Sequence, residues 1–144
     1  DDGINSTATS GQGIVIDGGN LYILAGGDGL DSNSRTAYSG IVFKGGKTVV
    51  ISTSGGNSAI DTEAGYTYTS GSVLAIMPNG GMTSEATHCS NFSSVAKKIS
   101  MSLSSGKTLT VSVSNSAILS VKIPCNLSAI VIYLGSTSAN ISLN

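Results

Sequence analysis

The sequence predicts an all-β fold, a parallel β-solenoid of about three coils closed by a C-terminal cap of antiparallel strands. Three observations carry that expectation. The first is composition: the 144 residues include 26 Ser, 13 Thr, 10 Asn and 19 Gly, with only 10% charged residues against 40% hydrophobic ones. A helical bundle needs Glu, Lys and Arg on its exposed faces, and a disordered chain combines low hydrophobicity with high net charge, whereas here the net charge is -1. The second is an internal repeat, and the third is a change of pattern near residue 99. The length suits one domain, residues 1–144.

The repeat has two markers. Asp2-Gly3-Ile4-Asn5-Ser6 returns as Asp28-Gly29-Leu30-Asp31-Ser32 and again as Asn57-Ser58-Ala59-Ile60-Asp61-Thr62, at intervals of 26 and 29 residues. Between these, Ile14-Val15-Ile16-Asp17-Gly18-Gly19 returns as Ile41-Val42-Phe43-Lys44-Gly45-Gly46 and as Tyr66-Thr67-Tyr68-Thr69-Ser70-Gly71, at intervals of 27 and 25. A short strand, a glycine corner, a second apolar strand and a Gly/Asp corner make one coil. Alternation predicts that Ile14/Ile16, Ile41/Phe43 and Tyr66/Tyr68 form inward columns spaced about 4.8 Å apart. Residues 21–24, 49–51 and 73–77 are apolar on both faces, as expected of strands covered on both sides. Residues 1–80 are thus assigned to coils and 81–98 to a connection. Over 99–144 the alternation Ile99/Met101/Leu103, a Ser-Ser-Gly-Lys turn, Leu109/Val111/Val113 and two further apolar runs predict an antiparallel cap that blunts the open edge of the coils.

Several function classes are disfavoured by the same residues. Seven basic residues in a near-neutral chain leave no electrostatic footprint for nucleic acid. The longest apolar run, residues 129–134, is far shorter than the ~20 residues of a spanning helix. No signal-like segment opens the chain, so a signal has been removed or none existed. The Ser/Thr-rich surface suits a secreted or extracellular protein, in which Asn5, Asn91, Asn126 and Asn140 head glycosylation sequons. Cys89 and Cys125 lack CxxC spacing and are candidates for one disulfide. The Gly-Lys-Thr runs at residues 46–48 and 106–108 lack the upstream glycine of a phosphate loop, and His88 has no triad around it, so it reads as a polar loop residue.

Chemistry concentrates in the first marker. Six of the eight acidic residues, Asp1, Asp2, Asp28, Asp31, Asp61 and Glu63, lie in the corner that repeats. Stacking would place Asp2 over Asp28 over Asn57 and Asn5 over Asp31 over Asp61, where like charges repel unless a cation separates them. Calcium takes several hard oxygen ligands at ~2.3 to 2.6 Å and fits such a corner. Asp-Gly also supplies tight-turn geometry with no metal, and that alternative stands beside the first. The nonapeptide calcium repeat fails, because Asn33 occupies its apolar position and no nine-residue period follows.

The order of Asp-Asp-Gly-Ile-Asn, Gly-Gly-Asp-Gly-Leu-Asp-Ser-Asn, the Gly-Gly strand corners, Gly-Gly-Asn-Ser-Ala-Ile-Asp, Gly80-Gly81-Met82 and the strand-rich tail resembles a family of secreted carbohydrate-binding domains. The resemblance covers nearly the whole chain. It implies a right-handed parallel β-helix similar in shape to polysaccharide lyases, calcium held in the acidic corners, and binding to acidic plant sugars and cellulose. It further implies calcium roles for Asp2, Asp28, Asp31 and Asp61, with Asn5, Asn57 and Glu63 as secondary ligands. The first corner begins at Asp1, and the two cysteines depart from the family pattern. The expected function is non-catalytic, calcium-assisted polysaccharide binding. A subunit that self-associates head to tail through its N-terminal coil is the alternative, and a polysaccharide lyase the third. Arg35, four residues after Asp31, is the cation a lyase would need, and Arg35 and Tyr38 are the candidate glycan contacts. Tyr22 and Tyr133 are further surface candidates, whereas Tyr66 and Tyr68 belong to the core columns.

Overall fold

The computed structural model describes residues 1–33 and 40–144, so Arg35 and Tyr38 lie outside the described residues. Three successive repeats each contribute three strands: β1 (Ile4–Ser6), β2 (Ile14–Ile16) and β3 (Asn20–Ala25), then β4 (Leu30–Ser32), β5 (Ile41–Phe43) and β6 (Lys47–Ser52), then β7 (Ile60–Thr62), β8 (Tyr66–Tyr68) and β9 (Ser72–Pro78). Two single-turn helices follow, α1 (Thr83–Ala86) and α2 (Phe92–Val95). The tail holds β10 (Ala96–Leu103), β11 (Thr108–Val113), β12 (Ser116–Lys122), β13 (Leu127–Leu134) and β14 (Asn140–Leu143).

Equivalent strands of successive repeats pair in parallel. Ile14 aligns with Ile41 and Tyr66, and Ile16 with Phe43 and Tyr68. All six side chains are buried, and the Phe43 and Tyr66 rings meet edge to face with centroids 5.8 Å apart. Between them Val15, Val42 and Thr67 point the other way and are more exposed, the period of two that a pleated strand imposes. The corners leading into β3, β6 and β9 turn at Gly19, Gly46 and Gly71, whose φ values of +78°, +78° and +103° suit only glycine.

The fold is all-β, but it is not the expected single right-handed parallel β-helix with an antiparallel cap. Among the described residues the strands divide into four sheets: β1-β4-β7 and β2-β5-β8, both parallel; a five-stranded mixed sheet in the order β10-β13-β9-β6-β3; and an antiparallel sheet in the order β12-β11-β14. The tail therefore does not sit as a cap on a finished stack. Instead β13 pairs antiparallel along β9, from Ala129 opposite Pro78 to Leu134 opposite Val73, and β10 pairs with β13 in turn.

The physical reason lies in strands apolar on both faces. Alternate residues of β9 and β13 go to different cores: Val73, Ala75, Met77, Ile130, Ile132 and Leu134 join the core enclosed by the parallel strands. Leu74, Ile76, Val131 and Tyr133 join a second core, where Leu109 and Val111 of β11 and Leu119 and Val121 of β12 cover them. Continuing the sheet with β13 and laying a second sheet over it buries both sets.

Candidate functional site

The acidic corner is assembled by the parallel register. Asn5, Asp31 and Asp61 are aligned neighbours across β1, β4 and β7. Just ahead of these strands, each repeat reaches toward the next. Asp2 Oδ1 accepts the backbone N–H of Asp28 at 3.0 Å, and Asp28 Oδ1 accepts the backbone N–H of Ser58 at 2.6 Å. The glycines that follow allow close approach, with Gly3 N–H donating to the Asp28 carbonyl at 2.8 Å and Gly29 N–H to the Ser58 carbonyl at 2.9 Å. A Cβ on Gly29 would lie 2.6 Å from the Ala59 carbonyl oxygen, so the corner has no room for another residue there.

Carboxylate oxygens of Asp2, Asp28 and Asp31 come within 4.8 Å of one another. Asp2 is exposed, Asp28 half-buried and Asp31 buried. Asn5 Nδ2 donates to Asp31 Oδ2 and, at 3.4 Å, to Asp2 Oδ2, while Asn33 Nδ2 donates to Asp31 Oδ2 at 2.9 Å. Burial pushes the Asp31 carboxyl above its ordinary range. The bond from Asn33 opposes that rise, the Asp2 and Asp28 charges add to it, and the bond from Asn5 again opposes it. At this spacing each pair of carboxylates repels by about 1 kcal/mol even at the dielectric of water. Asp61 is pushed up to about 6, first by burial and then by the charges of Asp28, Asp31, Glu85 and Glu63.

The donor set fits a hard divalent cation. Three carboxylates supply oxygen ligands without sulfur or imidazole, the chemistry that suits calcium over softer metals, while Asn5 turns its amide nitrogen toward two of them as a hydrogen-bond donor. Two of the carboxylates also satisfy backbone N–H groups, so the turn role and a ligand role coexist in Asp2 and Asp28. Asp31 differs, because the bonds it accepts from Asn5 and Asn33 come from side chains.

Of the seven residues singled out as metal ligands, Asp2, Asp28 and Asp31 converge, with Asn5 bonded to two of them. Asp61 lies one repeat further on and couples to the cluster electrostatically. Asn57 is displaced: Ser58, not Asn57, accepts the place equivalent to Asp28, and the Asn57 N–H donates to the Ser54 carbonyl. Glu63 is exposed and acts on the group by charge. Asn33, Ser58 and Glu85 were not singled out. Asn33 stands two residues after Asp31, a local spacing that side-chain bonding uses often; Ser58 needed the correct register, and Glu85 needed the fold.

Other expectations are redistributed. Cys89 and Cys125 are free thiols rather than a disulfide, and Cys89 Sγ donates to Asn91 Oδ1 at 2.9 Å. That half-buried Asn91 also donates to the Tyr68 carbonyl, whereas Asn126 and Asn140 are exposed. Tyr133, a surface candidate by sequence, is buried in the second core, while Tyr22 is exposed. His88 borders a shallow cleft of about 440 Å³ with Gln12, Thr67 and Ser90, and its carbonyl accepts the Tyr66 N–H. Among the described residues no helix is long and apolar enough to cross a membrane. Compared with protein-family models, curated proteins and solved structures, the chain matches none.

Proposed function

We propose that this chain is a non-catalytic module that binds acidic polysaccharide through a calcium ion held by Asp2, Asp28 and Asp31, with Asn5 beside them. The observation that carries the reading is the convergence of three carboxylates within 4.8 Å of one another. Calcium takes six to eight oxygens, and three carboxylates supply only part of that shell. The remaining positions face solvent at the exposed Asp2, where a uronate carboxylate or sugar hydroxyls would complete the coordination. Calcium would thereby bridge two anionic partners that otherwise repel. A small-residue, low-charge composition suited to an extracellular setting supports the same reading.

Affinity electrophoresis through gels containing polygalacturonate tests it. Migration should be retarded with calcium, restored by a chelator, and unretarded for Asp31→Asn, with no unsaturated product absorbing in the ultraviolet. Retardation that survives the chelator would overturn the calcium bridge, and product formation would make the protein a lyase.

A further inference from the structure

We infer that the chain self-associates head to tail, β3 of one copy pairing in parallel with β10 of the next. Among the described residues, both ends of the five-stranded sheet are edges, β3 on one side and β10 on the other. An edge strand presents a row of backbone donors and acceptors on its outer side and is a template for another strand. The strand directions match. Because β3, β6 and β9 are parallel, β13 is antiparallel to β9, and β10 is antiparallel to β13, β10 runs the same way as β3.

The side chains match as well. Tyr22 and Leu24 are 53% and 48% exposed, although they align with Val49 and Ile51, which are buried in the second core. On β10 it is Ile99 and Met101 that face the same core, only partly buried. Setting Tyr22 beside Ile99 and Leu24 beside Met101 of the next copy keeps apolar residues on one face of a continuous sheet, and a slip by one residue would reverse them. That register places Asn20 beside Lys97. It also sets charge against charge: Asp17 precedes β3 and Asp1 adjoins its far end, while Lys97 and Lys98 open β10 and Lys107 follows it. Lysines on an edge discourage indiscriminate pairing and favour an acidic partner.

The far ends of the two parallel three-stranded sheets, β7 and β8, are already covered, whereas β10 is an open edge among the described residues. The Tyr66 N–H of β8 donates to the His88 carbonyl at 2.9 Å beside a bridge to Cys89, and α1 packs on β7. Two different surfaces meet in this contact, so it repeats into an open series unless its rotation closes a ring. This inference is independent of the calcium site, which can bind in a single copy.

Light scattering over a concentration series, together with a trap between two different edges, tests it. The weight-average mass should rise beyond twice that of one chain at low salt and fall back at high salt. Leu24→Lys, at an exposed position, should hold the protein as a monomer with an unchanged circular dichroism spectrum. In a Cys89→Ser/Cys125→Ser background, mixing Leu24→Cys with Met101→Cys protein should give a disulfide-linked pair containing one of each. A monomer at every concentration, or cross-links joining only Leu24→Cys to itself, would overturn the proposal. So would a Leu24→Lys protein that loses retention on polysaccharide while its mass matches the wild type at every concentration, because that surface would then be a glycan face.

Discussion

Asp28 does two jobs, and substituting it separates them. Its Oδ1 accepts the N–H of Ser58, a fully buried residue, at 2.6 Å, and a carboxylate oxygen also faces those of Asp2 and Asp31. Asp28→Ala removes a hydrogen bond to a charged acceptor, worth roughly 1.5 to 3 kcal/mol. Relief of repulsion with Asp2 and Asp31 returns about 1 kcal/mol for each pair at the dielectric of water. The net loss in chelator is therefore at most about 1 kcal/mol, or about 3 °C in melting temperature for a chain of this length. Asp28→Asn keeps an oxygen for the Ser58 N–H and removes the charge, so its calcium-free melting temperature should equal or exceed that of the wild type. Calcium at a hundred times its dissociation constant stabilises the native state by about 2.7 kcal/mol, roughly 8 °C, and both variants should lose most of that gain. Thermal unfolding followed by circular dichroism, with calcium and with chelator, reads all of these values. An alanine variant as stable in chelator as the asparagine variant, or an asparagine variant with the full calcium response, would refute the reasoning.

Three further outcomes are expected. Phe43→Ala should cost about 4 kcal/mol because Phe43 is fully buried against Tyr66, while Val42→Ala, on the opposite face of the same strand, should cost under about 1 kcal/mol in denaturant titration. Gly29→Ala should destabilise the protein strongly, since its Cβ would lie 2.6 Å from the Ala59 carbonyl oxygen; wild-type stability would show that the repeats approach less closely. The third concerns pH. Asp61 rises from 3.8 to about 6 on folding and Asp31 rises too, so between those values the folded state holds more protons than the unfolded state. Calcium-free stability should thus be highest at and below about pH 4 and fall as pH rises through about 6, and calcium should flatten the fall. A calcium-free curve that rises over this window would reverse the assigned burial of the two carboxyls.

The inward columns were legible because Ile14/Ile16, Ile41/Phe43 and Tyr66/Tyr68 recur beside glycine corners whose positive φ sets where each strand begins. The corner was legible to within one residue. Asp2 and Asp28 lie 26 apart, but residues 53–58 carry the third corner to Ser58, so a match on residue type chose Asn57. The four-sheet arrangement was not legible. A run such as Leu127–Leu134, buried along most of its length, reads the same in a cap as in a sheet that continues beyond β9, because only its neighbours reveal which faces are covered. The helices α1 and α2 are four residues each, too short for any helical period to show. Tyr133 illustrates the same limit, since its burial depends on the second sheet laid over it.

The account rests on the three carboxylates acting as one cation site, and the most direct measurement is anomalous diffraction from crystals of the wild-type chain grown with calcium. A peak within about 2.3 to 2.6 Å of oxygens from Asp2, Asp28 and Asp31 is the predicted result. A map without a peak in that corner, at calcium concentrations that support retention on polygalacturonate, would contradict it.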